Sequence, residues 1–322
     1  MLPSYSQLKE KFKTLLQQDN IDNETDDLYI QKDRNKRAKF LVENESLEQE
    51  MEQFCQGGIP TSYRVDIYMK YFGVEGNQGN NKFQQLLDEY DKNNSIFDII
   101  LISDGHEASF DDKYFVFQNN FEKILKVFIR DKEVYKNARI HPQNFDKLSN
   151  ADQSKVPQCG FFFPKLFTKY IQPFGYTSMK LDVIYTLFKQ FYCRYFCYLL
   201  SLSSIKDSLL YLVMLFEDLF QSTDQRLLNH LSQIENFDVI QVGINWIQYC
   251  FIGYMAVEEI FLIFDRIIGY KGLDILAVLA VAIFRHKSDS LFKCTSMKEV
   301  DEVLNRPVED SFLNLIQNYF VY

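Results

Sequence analysis

Apolar residues recur at the helical period along most of the chain. Phe83, Leu86, Leu87 and Tyr90 step by 3, 1 and 3, and so do Phe121, Ile124, Leu125 and Phe128. Leu209, Leu212, Val213, Phe216, Leu219 and Phe220 continue the pattern, as do Val257, Ile260, Phe261, Phe264, Ile267 and Ile268. Residues three and four apart share one helical face, so each set predicts an amphipathic helix with a buried stripe. Ile275–Phe284 is apolar all round, which predicts a helix enclosed by others. No proline stands between Phe174 and Arg306, and glycine only at 175, 243, 253, 269 and 272. So few breakers over such a length predict an all-α array of packed helices. Ile96–Ile102 has strand-like composition but no evident partner, and is read as a buried loop or short helix. Loops are expected over residues 75–81 and 143–157, and no solenoid-period repeat is present.

The first fifty residues differ from the rest. Polar and charged runs at Asn20–Asp27 and Lys32–Lys39 predict one or two exposed helices with a loop between. This sets an N-terminal extension, residues 1–50, apart from a domain over 51–322. With 322 residues, 47% of them hydrophobic, and 30 Phe and 20 Tyr, the chain can bury a large aromatic core. The formal net charge of -9 argues against the basic stripe that nucleic acid requires. Lys9, Glu10 and Lys11 occupy the place of a signal peptide's apolar core, and the longest apolar run is half a membrane span. A cytoplasmic chain, at most peripheral to membranes or the cytoskeleton, is expected.

Candidate chemistry is sparse. Cys55, Cys159, Cys193, Cys197, Cys250 and Cys294 form no CxxC, and the four histidines are scattered. Buried thiols of a reducing compartment are expected rather than a metal or disulfide site. His106 with Asp104, Glu107 and Asp111 matches no metal-ligand spacing and reads as a solvated acidic loop. The glycines of residues 75–81 lack the following Lys-Ser or Lys-Thr of a phosphate-binding loop. Neither a metal nor a cofactor is expected.

Two motifs carry a family resemblance. Gly58-Ile59-Pro60-Thr61-Ser62-Tyr63-Arg64, then Tyr68 and Gly73, stand near the start. Toward the end come Trp246, Phe251, Glu258, Phe261-Leu262-Ile263-Phe264-Asp265, Gly269, and the Ala277–Ile283 helix. In this order and spacing the chain resembles the TBC domain of Rab GTPase-activating proteins over about residues 55–305. The stretch Cys193–Phe196, with Gly253-Tyr254 and Ile275–Ala280, is most similar to the divergent branch numbered nineteenth among vertebrate members. Tyr68 and Phe264 replace family tryptophans and keep an aromatic plug. The resemblance implies a multi-helix fold in which Gly58, Ile59, Pro60, Arg64, Tyr68, Trp246, Glu258, Phe264, Asp265 and Gly269 are structural. Arg64 is then an internal tie, and Trp246 and Phe264 belong to the core.

The resemblance also implies two catalytic side chains offered to a bound Rab: an arginine from IxxDxxR and a glutamine from YxQ. Asp98 as the motif aspartate puts Leu101 at the arginine position, and Asp104 puts Glu107 there. No arginine lies between Arg64 and Arg130, and Lys113 lacks the guanidinium fork. Family spacing puts Phe163-Pro164-Lys165 on YxQ, with Lys165 for glutamine. Tyr170-Ile171-Gln172 spells the motif closer to the next helix but is followed by Pro173. Three readings follow. The first is an adaptor or pseudo-activator that binds a GTP-loaded Rab-type GTPase through Asp98, Asp104, Lys113, Phe163 and Lys165. The second is an active GTPase activator using Lys165, Gln172 or Arg130. The third is a structural subunit of a cytoskeletal or trafficking assembly. Phe161-Phe162-Phe163 cannot all face one core, which leaves a partner contact and a core loop both open.

Overall fold

The computed structural model describes residues 2–16, 28–74, 78–92, 96–108, 114–140, 156–160, 164–201, 203–306, 308 and 310–320. In chain order its main helices are α1 (Tyr5–Lys11), α2 (Leu28–Glu43), α3 (Glu48–Gln56), α4 (Arg64–Tyr71), α5 (Gln78–Lys92), α6 (Ile96–Ala108) and α7 (Gln118–Arg130). They continue as α8 (Lys132–Asn137), α9 (Leu181–Phe191), α10 (Leu209–Ser232), α11 (Val239–Gln248), α12 (Val257–Gly269), α13 (Asp274–His286) and α14 (Met297–Asn305). The fold is all-α, with no strand among the described residues. No helix among them is long and apolar enough to cross a membrane. Two compact units form, Met1–Ile67 with Leu199–Tyr322, and Tyr68–Tyr198.

In the first unit α13 is the central helix. Asp274–Phe284 are buried throughout, packed on α10, α11, α12 and the π-helical turn Ile316–Phe320. An all-apolar sequence suits a helix with neighbours on every side. Trp246 lies 5.1 Å from Phe284 and 4.7 Å from Tyr254, ring centre to ring centre, and Phe264 is fully buried. Helix α10 breaks at Asp224 (φ -149°, ψ 65°), whose side chain accepts the Leu227 N–H and restarts the helix.

The N-terminal residues differ from the exposed helices expected there. Leu8, Phe12 and Leu15 are buried, Phe12 edge-on to Tyr270 at 4.8 Å, and Gln317 Nε2 donates to the Leu15 carbonyl. Three apolar residues at 3–4 spacing suffice to seat one face of a short segment, and lysines flanking them hid it.

The second unit has an aromatic core. Phe191 packs on Tyr68 at 5.2 Å, Phe174 at 5.2 Å and Phe196 at 5.8 Å, while Phe128 meets Phe188 and Tyr192. A π-helical turn spans Tyr192–Phe196, and Tyr192, Cys193, Tyr195 and Phe196 are buried in it. All six cysteines are buried free thiols. The expected loop over residues 75–81 is cut short because α5 already begins at Gln78. Ile96–Ile102 is part of a helix of 13 residues rather than a short element. Its inward residues Asp98, Leu101 and Asp104 recur every three positions, and the two acids among them broke the hydrophobic pattern.

Candidate functional site

The two distant motifs meet in the first unit around Asp265, which is fully buried. Gly58 adopts φ 82°, a left-handed conformation that glycine takes without a Cβ penalty. It turns the chain so that the Ile59 N–H donates to Asp265 Oδ2 at 2.8 Å. Pro60 precedes the 3₁₀ turn Thr61–Tyr63, and Arg64 opens α4 from that turn. Arg64 Nη2 donates to the Ile59 carbonyl at 2.8 Å and to Asp265 at 3.3 Å, with the guanidinium 5.2 Å from the Phe261 ring. Arg64 therefore has an internal role. Gly269 is forced by close approach: a Cβ there would lie 2.6 Å from the Gln56 backbone nitrogen. Gln56 Nε2 donates to the Gly269 carbonyl at 3.0 Å, tying α3 to α12. Glu258 is exposed in the first turn of α12. Its neighbour Glu259 makes the structural bond, accepting the Phe312 N–H at 2.6 Å.

The residues that the resemblance aligns with the two finger motifs lie in the second unit. On α6, Asp98 forms a two-pronged pair with Arg130, both bonds 2.9 Å. Asp104 accepts the Leu166 N–H, the Thr168 N–H at 2.8 Å and the Thr168 hydroxyl at 2.6 Å. Both carboxylates are buried. As engaged internal groups they hold other residues in place rather than face a partner themselves. Leu166 takes φ 62°, unusual for a branched side chain, and its N–H is held by Asp104. This clamp fastens α6 to the turn that carries Lys165, which is exposed.

The residues of the two registers differ in burial. Leu101 is fully enclosed, and Gln172 is 2% exposed in the 3₁₀ segment Gln172–Tyr176. Arg130, the other candidate, is engaged by Asp98. Glu107 lies one turn beyond Asp104 on α6. The outer face of α6 presents Ile99, 68% exposed, with Ile100 and Ser103. Lys113, Asp111 and Phe161–Phe163 lie outside the described residues, as does most of 143–157.

A charged cluster that sequence reasoning did not single out joins α5, α8 and α9. Asp131 caps α8 through the Glu133 N–H at 2.9 Å and pairs with Lys82 at 3.1 Å and Lys189 at 3.0 Å, with the Tyr185 hydroxyl also donating to it. Burial alone would raise the Asp131 carboxyl. Lys189, the Tyr185 hydroxyl and the Glu133 N–H outweigh it and hold the group below the ordinary carboxylate value. Glu133 is also held low, first by its bond from Lys82. The two lysines stand 107 residues from each other and 49 and 58 from Asp131, so no local spacing signals the cluster.

Comparison with known proteins agrees with this architecture. Residues 166–292 match the family model described as Rab-GTPase-TBC domain. The human protein TBC1 domain family member 19 is 28% identical over 275 residues, which cover 83% of this chain and 52% of that protein. The chain thus spans about half the length of the curated relative it matches. The crystal structure of the Ypt/Rab-GAP domain of Gyp1p aligns with a TM-score of 0.61 at 12% identity, over 89% of this chain and 95% of that one. The Chlamydomonas flagellar RabGAP TBC domain aligns with a TM-score of 0.64 at 11% identity, over 99% and 96%. At such identities these structures speak for the fold alone.

Proposed function

We propose that this chain, whose residues 166–292 match the Rab-GTPase-TBC domain model, binds a GTP-loaded Rab-type small GTPase through its 68–198 unit and acts as an adaptor or pseudo-activator. The observation that carries this reading is the Asp104 clamp. It joins α6 to the turn bearing Lys165, so the two segments expected to converge on a GTPase are fastened together. The clamp favours the register in which Asp104 is the motif aspartate, Glu107 stands for arginine and Lys165 for glutamine. An acid repels the transferring phosphate, and an ammonium cannot position water as an amide does. A trans-acting arginine contributes about 10³ to 10⁵ in rate, so its replacement by Glu107 removes the main source of acceleration. Lys165, Lys113 and Phe163 are assigned to GTPase contact, and Asp98 and Asp104 to supporting that surface. A cytoplasmic setting follows from such a partner.

Single-turnover GTP hydrolysis by a panel of purified Rab-type GTPases, with binding of each GTP-loaded form measured alongside, tests the proposal. Binding of at least one GTPase with acceleration below about tenfold is expected. Larger acceleration would make the chain an active regulator and direct attention to Lys165. Absence of both would shift the role to a structural subunit.

A further inference from the structure

We propose that the exposed face of α2 docks on the anionic headgroups of a lipid membrane. The chain carries a net charge of -9, yet the exposed side chains of residues 31–43 include Lys32, Lys36, Arg37 and Lys39 against Asp33 and Glu43. At 3.6 residues per turn, positions 32, 36, 39, 40 and 43 fall within about 100° of arc. Glu43 is already within 3.7 Å of Lys39. On the same arc Phe40 stands 58% exposed among the lysines.

The opposite face fixes the helix to its unit. Ala38 and Leu41 are buried, and Arg34 stacks 4.4 Å from the Phe54 ring while donating to the Phe54 and Gly58 carbonyls. The outward face is therefore held in place on a folded support.

Charge and shape together choose the occupant. The three lysines of this arc, with Arg37 beside it, attract an anionic leaflet, each contributing modestly near the surface. Lysine stems extend along apolar surface to reach headgroups, leaving the Phe40 ring to enter the interfacial layer between them. An acidic peptide would need a groove or a strand edge to bind against. The α2 face is the convex side of one helix, which suits a broad deformable surface. Glu45, Glu48 and Glu50 follow closely and are exposed, so attachment should be weak and reversible.

The test is cosedimentation of the full chain with phosphatidylcholine vesicles, with and without about 30% phosphatidylserine. Binding is expected only to the anionic vesicles at about 0.1 M salt, and should be lost at about 1 M. Replacing Lys32, Lys36 and Lys39 together by Ala should weaken partition on the order of 100-fold, and Phe40→Ser about tenfold. Neither variant should change the melting temperature, because all four side chains are exposed. No binding, equal binding to neutral vesicles, or unchanged binding by the triple variant would overturn the proposal. Capture of polyglutamate by the native chain, lost in the triple variant while vesicles are ignored, would overturn it in favour of an acidic protein partner.

Discussion

Removing the Asp265 carboxylate tests how the two sequence motifs are held together. Asp265 is fully buried and accepts the Ile59 N–H at 2.8 Å and two Arg64 nitrogens at 3.3 and 3.4 Å. Asp265→Ala leaves a buried guanidinium without this counter-charge, a change that typically costs about 3 to 5 kcal/mol. The stranded Ile59 donor accounts for about 1 to 3 kcal/mol of such a loss. Arg64 keeps the Ile59 carbonyl and the Phe261 face, which places the expectation near the lower end, about 3 kcal/mol. Asp265→Asn preserves an acceptor for Ile59 and should cost less. Arg64→Met alone should also destabilise, but combined with Asp265→Ala it should recover at least about 1 kcal/mol relative to the sum, because the second change no longer strands a charge. Equilibrium unfolding in urea, with the free energy extrapolated to water, measures all four proteins. A loss below about 1 kcal/mol for Asp265→Ala, or strict additivity, would refute the tie as described.

Three further outcomes follow from the geometry. Gly269→Ala places a methyl 2.6 Å from the Gln56 nitrogen, a backbone atom that cannot swing aside, and should cost about 1 to 3 kcal/mol in the same assay; an unchanged midpoint would show that α3 yields freely. Asp131 is held below its unfolded value, so its stabilisation is complete above about pH 4 and fades as pH falls through the lower folded value. Lys189→Met should accordingly destabilise at pH 7, with the gap to the native chain narrowing below about pH 4; a constant gap across a pH series of thermal melts would contradict the cluster. Glu107→Arg with Lys165→Gln should raise single-turnover hydrolysis by a bound GTPase at least about 100-fold, whereas unaltered turnover at unaltered affinity would show that the register is wrong.

Sequence alone determined the helical class, the long amphipathic faces and the enclosed α13 helix, because each is written as a local 3–4 period of apolar residues. It also carried Gly58, Arg64, Asp265 and Gly269, whose types are dictated by backbone conformation, a buried charge pair and close approach. Tertiary structure decided which residues those distant positions touch, since Ile59 and Asp265 are 206 positions apart. It separated Glu259 from Glu258 by one residue of helical rotation. It buried Leu101 and Gln172, turned Asp98 and Asp104 inward, and left Lys165 exposed, because burial depends on neighbours that no local pattern records. The Asp131 cluster and the seat of Leu8, Phe12 and Leu15 were hidden for the same reason: charged or lysine-flanked residues read as solvated until the helix that receives them is in place.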